Sequence, residues 1–558
     1  AITQIRKVVG KNVYASGMSG VVTDIKNLAL QEMPIYVVIA GLLSLVVLFL
    51  TMTSFVTPLI FLLNIGMAIV FNLGSNVFLG EISYITQALA AVLQLAVTMD
   101  YSIFLLESYE ANKERYEGDK KRAMAHAISN TFTSITASSI TTVAGFVALC
   151  FMTFKLGANI GIVMSKGVVI GVIACVTVLP AMILTCDKAI EKTTHRSLIP
   201  SLDKLSHGIV KGRYVALLLF LIVLVPAIHG NNNYKIYYNI DQSLPKNIPS
   251  NEANEKLKKE FNMSNMHMIL LKDGLSAKEK SAMSKEIEKV DGVKWVIGLN
   301  SLVGSNVPES MIPNNIKKML KTDNYELEFV SSDYSSATDE VNSQLAKIDK
   351  IVKKYQNDGM VIGEAPMMKD LQDVTDVDLK TVNNISILAI FVIILITFKS
   401  ISIPVILISV IEFAIACNMA VPFYTNTSLP FVASIVIGTI QLGATVDYAI
   451  LMTSRYHKER TERGQSKKDA IRIAHETSIK SILTSGLCFF AATFGVSVYS
   501  QVDMIGSICT LLSRGAIISM IVVICVLPAM LWIFDGVIKR TSWNMIKANV
   551  AKRDAEKK

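Results

Sequence analysis

Long apolar runs alternate with short charged stretches over most of the chain, and this pattern predicts transmembrane helices. A helix of about 20 apolar residues is long enough to cross the ~30 Å hydrocarbon core of a bilayer. Eleven such runs lie at about residues 34–55, 57–77, 84–107, 132–154, 163–185, 213–229, 382–398, 402–422, 429–452, 478–498 and 513–535. The pattern therefore predicts a polytopic α-helical membrane protein.

One long polar block, residues 230–380, interrupts the apolar runs. Its short alternating segments predict two successive strand–helix–strand units. The predicted elements are a strand at 268–271, a helix at 277–288, strands at 293–297 and 325–330, a helix at 338–354 and a strand at 360–362. Two units of this kind favour an α+β domain with a small sheet and helices on one face.

Lysine and arginine cluster in short stretches beside the apolar runs, in loops 110–122 and 457–472, in the stretch 187–213 and after Lys539. Such an excess of positive charge is typical of cytoplasmic loops. The 230–380 block is then predicted to lie outside the cell membrane.

The predicted segments follow from these assignments. They are an outer-domain remnant (1–33), a first transmembrane bundle (34–185), a cytoplasmic linker (186–212), one helix (213–229), an extracytoplasmic domain (230–380), a second bundle (381–538) and a basic cytoplasmic tail (539–558).

The composition narrows the possible functions. Of the 558 residues, 18% are charged, whereas a soluble domain carries about 25%. The net charge of +9 lies in loops that flank membrane helices, so topology explains it better than nucleic-acid binding. The seven cysteines and seven histidines show no disulfide framework and no metal-ligand spacing. With no Walker A sequence and no nucleophile–base set, the sequence predicts neither an enzyme nor a cofactor.

An internal repeat with an offset of 347 residues is the strongest signal in the sequence. The segment Gln94–Tyr101 (QLAVTMDY) recurs as Gln441–Tyr448 (QLGATVDY), and Leu179–Met182 (LPAM) recurs one residue further on as Leu527–Met530. Repeats of this kind indicate a duplicated helical bundle. Both halves are predicted to have the same orientation, because an even number of crossings separates them.

The repeat also predicts what precedes the chain. Residues 1–33 correspond to about 347–380, but the helix and the outer domain that precede 347 have no counterpart before Ala1. We therefore expect a first transmembrane helix and most of a first outer domain upstream, so that eleven of twelve helices are present here.

Two acids lie about 16 residues into apolar helices at matching positions, Asp100 and Asp447. A carboxylate at that depth costs at least ~2.5 kcal/mol and usually marks an ion or proton path. Tyr101 and Tyr448 follow them and offer hydroxyl groups to a facing carboxylate. No Lys or Arg lies at similar depth, which favours a proton relay over the alternative that the acids only hold the halves together.

Further polar residues are predicted to support this pair. Helical spacing puts Gln94 and Thr98 on the Tyr101 face, and the repeat gives Gln441 and Thr445 the same place. Ser138 and Ser485, on the following helices, extend the predicted network.

Glu412 is another intramembrane acid, but its counterpart is Ile65 or Gly66, so it lies outside the symmetry. Packing against a polar neighbour is favoured over a transport role for it. Lys166 and Arg514 match each other near the outer ends of their helices. For these two, snorkelling to the membrane interface is the favoured interpretation.

The segment Thr445–Arg460 (TVDYAILMTSRYHKER) and its weaker copy Thr98–Arg115 resemble the MMPL family of the RND transporter superfamily. The copies differ where Glu107-Ser108 stands in place of Ser454-Arg455. The resemblance implies an RND-type duplicated six-helix bundle with a porter-like outer domain. It also implies that Asp100, Tyr101, Asp447 and Tyr448 relay protons.

The resemblance further implies proton-driven export of lipidic, hydrophobic or amphiphilic molecules across the cell membrane, by a monomer or a homotrimer. Two alternatives remain open. One is a lipid or sterol sensor, or a surface-lipid assembly factor, that does not transport; the other is a SecDF-like motor for protein translocation.

Overall fold

The computed structural model describes residues 2–9, 15, 17–116, 119–196, 198, 202–239, 244–245, 248–260, 265–299 and 314–545. Parts of the predicted outer remnant (1–33), linker (186–212), outer domain (230–380) and basic tail (539–558) therefore lie outside the described residues. The chain forms two compact units. The outer unit combines residues 1–27 and 237–377, and the membrane unit combines residues 28–236 and 378–558.

The described residues form eighteen α-helices. They are α1 (Ile2–Val9), α2 (Met18–Thr51), α3 (Val56–Gly74), α4 (Tyr84–Arg115), α5 (Lys120–Ala148), α6 (Lys155–Lys192), α7 (Asp203–Lys211), α8 (Arg213–Asn233), α9 (Pro249–Glu260), α10 (Ala277–Ile287), α11 (Asn314–Leu320), α12 (Asp339–Tyr355), α13 (Glu364–Phe398), α14 (Ser402–Thr425), α15 (Phe431–Thr461), α16 (Lys467–Tyr499), α17 (Asp503–Cys525) and α18 (Leu527–Thr541).

Eleven of the described helices, α2–α6, α8 and α13–α17, are long and apolar enough to cross a membrane. Each overlaps one of the eleven predicted runs, and several extend beyond the apolar residues at the charged ends. The six described strands are β1 (Lys235–Tyr237), β2 (Asn265–Lys272), β3 (Val293–Ile297), β4 (Tyr325–Ser332), β5 (Met360–Gly363) and β6 (Ser428–Pro430).

The outer unit contains a four-stranded sheet in the order β3-β4-β2-β5, and the two central strands are antiparallel, from Asn265 opposite Ser332 to Lys272 opposite Tyr325. Successive β2 side chains alternate between the two faces, so Ile269 and Leu271 point the same way. They pack with Met283 of α10 and Ile348 of α12 in one apolar core. The predicted α+β unit is confirmed as a split β-α-β arrangement with its helices on one face.

The membrane unit repeats its internal contacts in each half. Helix α4 packs on α5 and α6, and α15 packs on α16 and α17. Across the halves, α5 packs against α15 and α16 packs against α4. At one end, Ser54 pairs with Thr194, and Ser400 pairs with Ser542 in the same way. The duplication seen in the sequence is therefore also a duplication in packing.

The two Leu-Pro-Ala-Met segments differ in structure. Pro180 lies inside α6, whereas the chain breaks at Val526 and α18 starts beside Pro528. Proline has no N–H, so the carbonyl four residues earlier, Ile524, loses its helical partner. His475 Nε2 lies 3.0 Å from that Ile524 oxygen and satisfies it. The single predicted run 513–535 is therefore two helices.

Candidate functional site

Asp447 lies on α15 and is only 2% exposed. Thr141 and Thr142 of α5 donate hydrogen bonds to its two carboxylate oxygens, each at 3.3 Å. Ser138, one turn earlier on α5, also lies beside it. The acid of the second half is therefore surrounded by hydroxyl groups of the first half.

Two glycines allow this close contact between α5 and α15. A Cβ atom on Gly145 would come within 3.2 Å of the Gly443 Cα atom and 3.0 Å of the Thr439 carbonyl oxygen. Small residues of this kind let membrane helices approach backbone to backbone. Thr142 Oγ1 then lies 3.0 Å from the Gly443 carbonyl oxygen as well as reaching Asp447.

Asp100 lies on α4, is also 2% exposed, and faces α16 of the other half. Ser485 lies beside its carboxylate, and Tyr448 and Cys488 are close to it. The second copy has Cys488 where the first has Thr141, so Asp100 has fewer hydroxyl groups around it than Asp447. The two acids share a position in the repeat but differ in their surroundings.

Five groups around the two acids have no hydrogen-bond partner of normal geometry among the described residues. They are Asp100 Oδ1, Tyr101 Oη, Ser138 Oγ, Tyr448 Oη and Ser485 Oγ. Buried polar groups normally have partners, and exceptions are common where a group binds or moves a proton or water. This cluster is therefore the strongest candidate for a functional site in the membrane unit.

Sequence reasoning placed Gln94 and Thr98 in the same network, and the structure puts them elsewhere. Gln94 accepts a hydrogen bond from Asn72 at 2.8 Å and donates one to the Gly167 carbonyl at 3.0 Å. Thr98 donates to the carbonyl of Gln94, four residues earlier on its own helix. Neither is in hydrogen-bond contact with an aspartate.

The second half repeats this separate cluster. Gln441 accepts from Asn418 at 2.8 Å, and Thr445 donates to the Gln441 carbonyl. Arg514 donates to Asn418 through both Nε and Nη2, at 2.7 and 2.9 Å. Lys166 similarly donates to the Asn72 carbonyl at 2.9 Å. These two cations therefore bind asparagines of the bundle, and the snorkelling interpretation stays a prediction.

Asn72 and Asn418 were missed, although both interrupt apolar runs at an offset of 346 residues. Glu412 lies on α14, apart from the paired acids, and its Oε1 has no hydrogen-bond partner among the described residues. The predicted packing of Glu412 against a polar neighbour stays a prediction.

A second feature lies seven residues beyond Asp100 and eight beyond Asp447, at Glu107 and Arg455, where the sequence shows only that the two copies differ. The Ser481 hydroxyl donates its one proton to the Glu107 carboxylate, with Oγ 2.7 and 2.6 Å from the two carboxylate oxygens, and Glu107 forms an ion pair with Arg455 at 3.7 Å. Both residues line a cavity of about 380 Å³ between α4, α5 and α15, whose lining mixes polar and apolar side chains. Seven residues make two helical turns, about 10 Å, so Glu107 lies two turns beyond Asp100 on the same helix.

The fold and this site define a multi-pass cell-membrane protein whose duplicated helical bundle buries a pair of acids at its centre. A sequence profile of the MMPL family matches residues 1–199 and 242–554. The chain belongs to the MMPL family, and the resemblance to this branch of the RND superfamily is confirmed.

Several described proteins are similar to the chain. It is 24% identical to the probable transport protein MmpL12 of Mycobacterium tuberculosis over 54% of the chain and 27% of MmpL12. It is 23% identical to the siderophore exporter MmpL5 of the same species, over 54% of the chain and 33% of MmpL5. The apo-petrobactin exporter of Bacillus anthracis is 24% identical over 87% of the chain and 68% of that protein. The chain thus spans about a third or less of the two mycobacterial relatives.

Proposed function

We propose that the protein is a secondary active exporter of amphiphilic small molecules, driven by the proton gradient across the cell membrane. Asp100 and Asp447 take up and release protons in this proposal, with Tyr101 and Tyr448 beside them. The basic loops face the cytoplasm, and the outer unit lies outside the membrane.

The crossed arrangement of the acids is the observation that carries the proposal. Each aspartate faces a helix of the opposite half, so a change in its charge alters a contact between the halves. A charged Asp447 is stabilised by the hydroxyl groups of Thr141 and Thr142, whereas a neutral Asp447 needs them less. Protonation therefore changes how strongly α5 and α15 hold each other, and this supports movement of the two halves.

The cavity at Glu107 and Arg455 supports a route for protons to this pair. Polar side chains line it from all three surrounding helices, and two of these helices, α4 and α15, carry the acids. The Glu107–Arg455 ion pair crosses from one half to the other, so it also responds to their relative position.

The names of the relatives support the cargo class. MmpL5 is named as a siderophore exporter, and the Bacillus protein is named as an apo-petrobactin exporter. Both names describe exporters of small molecules, which supports a small-molecule cargo, and its amphiphilic character is part of the proposal.

The test is transport in proteoliposomes with an imposed pH gradient, using apo-petrobactin as one probe and a fluorescent phospholipid as another. Asp447→Asn and Asp100→Asn each remove a titrating group at almost unchanged volume, and we expect gradient-driven flux to fall to the background level. Glu114→Gln, on the exposed end of α4, is the matched control and keeps the flux. Undiminished flux in both aspartate variants would reject the relay, and binding of either probe without flux would favour a sensor or assembly factor.

A further inference from the structure

A concave groove runs between α8, α14 and α17 on the membrane unit, away from the paired acids. It has a volume of about 560 Å³ and an apolar lining that includes Leu219, Phe413 and Ile521. Leu219 and Ile521 are each more than half exposed on the protein surface. Because these helices lie in the bilayer, the groove is open to lipid.

The groove has the size of a ligand site and the length of one lipid leaflet. Its volume falls within the range of about 300–1,000 Å³ that is usual for small-molecule sites. Its lining along α8 extends from Gly212, the residue before the helix, to Val223. At ~1.5 Å per residue this is about 16 Å, which is half of the ~30 Å hydrocarbon core. A single acyl chain aligned with α8 matches this length.

Two cations lie at the end of the groove where α8 begins. The Arg213 guanidinium lies 3.9 Å from the centre of the Trp532 ring, and Lys467 Nζ lies 4.4 Å from the same ring. Stacking on an aromatic ring holds a cation in place without neutralising it. Within the described part of the chain, neither Arg213 nor Lys467 forms an ion pair with a carboxylate.

Arg213 has donor capacity to spare. Its Nη1 donates to the Val210 carbonyl at 3.1 Å, and its Nε is buried without a partner among the described residues. A guanidinium presents five N–H donors in a plane that matches the oxygens of a phosphate group. An apolar groove one leaflet long therefore ends at two half-buried cations suited to a phosphate.

We propose that this groove binds an anionic glycerophospholipid of the membrane. An acyl chain lies along α8 against Leu219 and Phe413, and the phosphate contacts Arg213 and Lys467. A zwitterionic phospholipid carries a positively charged headgroup, which would lie beside Arg213 and Lys467 and be repelled by them. The site therefore favours lipids with a net negative charge. Basic pockets between transmembrane helices are a known way to recognise anionic headgroups. The site shares no residue with the paired acids and does not depend on proton coupling.

Trp532 provides a direct readout because the chain has three tryptophans, Trp295, Trp532 and Trp543. The experiment uses the purified protein carrying Trp295→Phe and Trp543→Phe, so that only Trp532 emits. It is placed in vesicles that contain equal mole fractions of phosphatidylglycerol or phosphatidylcholine, brominated near the headgroup end of the acyl chains. We expect about twofold greater fractional quenching by the brominated phosphatidylglycerol.

The charge variants decide whether the site causes this difference. Arg213→Gln with Lys467→Gln is expected to make quenching by the two lipids equal. The matched control, Lys211→Gln with Lys468→Gln, removes the same charge from exposed neighbouring positions and is expected to keep the preference. Equal quenching by both lipids before any charge is removed would overturn the proposal. A preference lost equally in both variant pairs would also overturn it, since it would then reflect surface charge and not this groove.

A variant that fills the groove gives an independent check. Leu219→Trp would confuse the fluorescence signal, so Leu219→Phe with Val215→Phe is used. We expect it to lower quenching by phosphatidylglycerol by about half while the charges remain. Unchanged quenching in this variant would show that the lipid does not occupy the groove.

Discussion

Asp378 Oδ1 lies 3.0 Å from the backbone nitrogen of Thr153 and accepts its hydrogen bond, although the two residues belong to opposite halves of the membrane unit. The other carboxylate oxygen accepts the N–H of Phe154 at 3.1 Å. Asp378 on α13 therefore caps the connection between α5 and α6. Since α5 also carries the threonines that bind Asp447, this cap ties α13 to the candidate proton site.

The other half has a matching cap. Glu32 on α2 accepts the backbone N–H of Gln501, between α16 and α17, at 3.3 Å. Tyr36 donates to Glu32 at 2.5 Å and lies 2.8 Å from Ser500 Oγ. Helix α16 in turn carries Ser485, beside Asp100. Each half thus uses one buried carboxylate to hold the helix of the other half that faces its own aspartate.

We predict that Asp378→Ala destabilises the membrane unit and lowers transport. Two part-buried N–H groups lose their acceptor, and a fully buried donor left without a partner costs about 1–3 kcal/mol. The expected result is a melting temperature lower by a few degrees in detergent, together with reduced gradient-driven flux in proteoliposomes.

The exposed Asp376 provides the control for that cap, since Asp376→Ala removes the same charge on α13 without removing an acceptor. It is expected to leave both measurements unchanged. Asp378→Asn keeps one acceptor oxygen and is expected to lie between the two. An Asp378→Ala protein that melts and transports like the Asp376→Ala protein would show that the cap contributes nothing.

We predict that Thr142→Val reduces proton-driven flux about tenfold or more. Valine has the shape of threonine without the hydroxyl group, so Asp447 loses one of its two hydrogen bonds from α5. A hydrogen bond to a charged group contributes about 1.5–3 kcal/mol, and 1.4 kcal/mol corresponds to tenfold in a rate or equilibrium.

Thr177→Val is the matched control, because Thr177 is exposed and donates only to the Ile173 carbonyl of its own helix. Flux is measured as the initial rate at a fixed pH gradient. Equal rates for Thr142→Val and Thr177→Val would show that the hydrogen bond from Thr142 to Asp447 does not contribute to transport.

The repeat predicted which residues correspond, and this was enough to find Asp100, Asp447 and their tyrosines. It did not predict that Ser138 lies beside Asp447 and Ser485 beside Asp100. Correspondence within a duplication does not say which helices of the two halves face each other, and only the packing of α5 on α15 and α16 on α4 decides that.

Helical spacing misled the assignment of Gln94 for a related reason. A face shared with Tyr101 predicts a shared hydrogen-bond network, but Gln94 forms its hydrogen bonds with Asn72 and Gly167 on other helices. The four sheet strands and the helices α10 and α12 of the outer unit match the predicted segments closely, because alternation is a local pattern, whereas α9 and α11 are not predicted. Contacts between distant segments, such as Asp378 with Thr153, leave no local pattern.

We predict that the outer unit loses stability as the pH rises from about 4 to about 7. Burial raises the pKa of Glu328 on β4 to about 7, Glu326 adds to the rise, and Ser284 and Lys280 oppose it. A carboxyl group with a pKa above its unfolded value of ~4.3 binds its proton more tightly in the folded state. The contribution of Glu328 to the free energy of unfolding is complete below pH ~4.3 and is lost as the pH rises through about 7. Each unit of difference between the folded and unfolded pKa corresponds to ~1.4 kcal/mol of that free energy.

The measurement is thermal unfolding between pH 4 and pH 8, followed through Trp295 of β3 with the other two tryptophans replaced by phenylalanine. Glu328→Gln is expected to abolish most of the pH dependence, and Glu288→Gln, at an exposed position, is expected to retain it. A pH dependence that survives Glu328→Gln in full would assign the effect to another group.

The last prediction concerns the ion pair between Lys280 of α10 and Glu326 of β4, which are 3% and 1% exposed. Lys280→Met leaves a buried carboxylate without its cation, and breaking such a pair costs about 3–5 kcal/mol. The double variant Lys280→Met with Glu326→Leu also removes the buried carboxylate. Most of the lost stability is therefore expected to be recovered. Urea unfolding followed through Trp295 measures both variants. A Lys280→Met protein as stable as the double variant would show that Lys280 and Glu326 do not form a buried ion pair. Glu328, whose pKa Lys280 lowers, would then lack that cation.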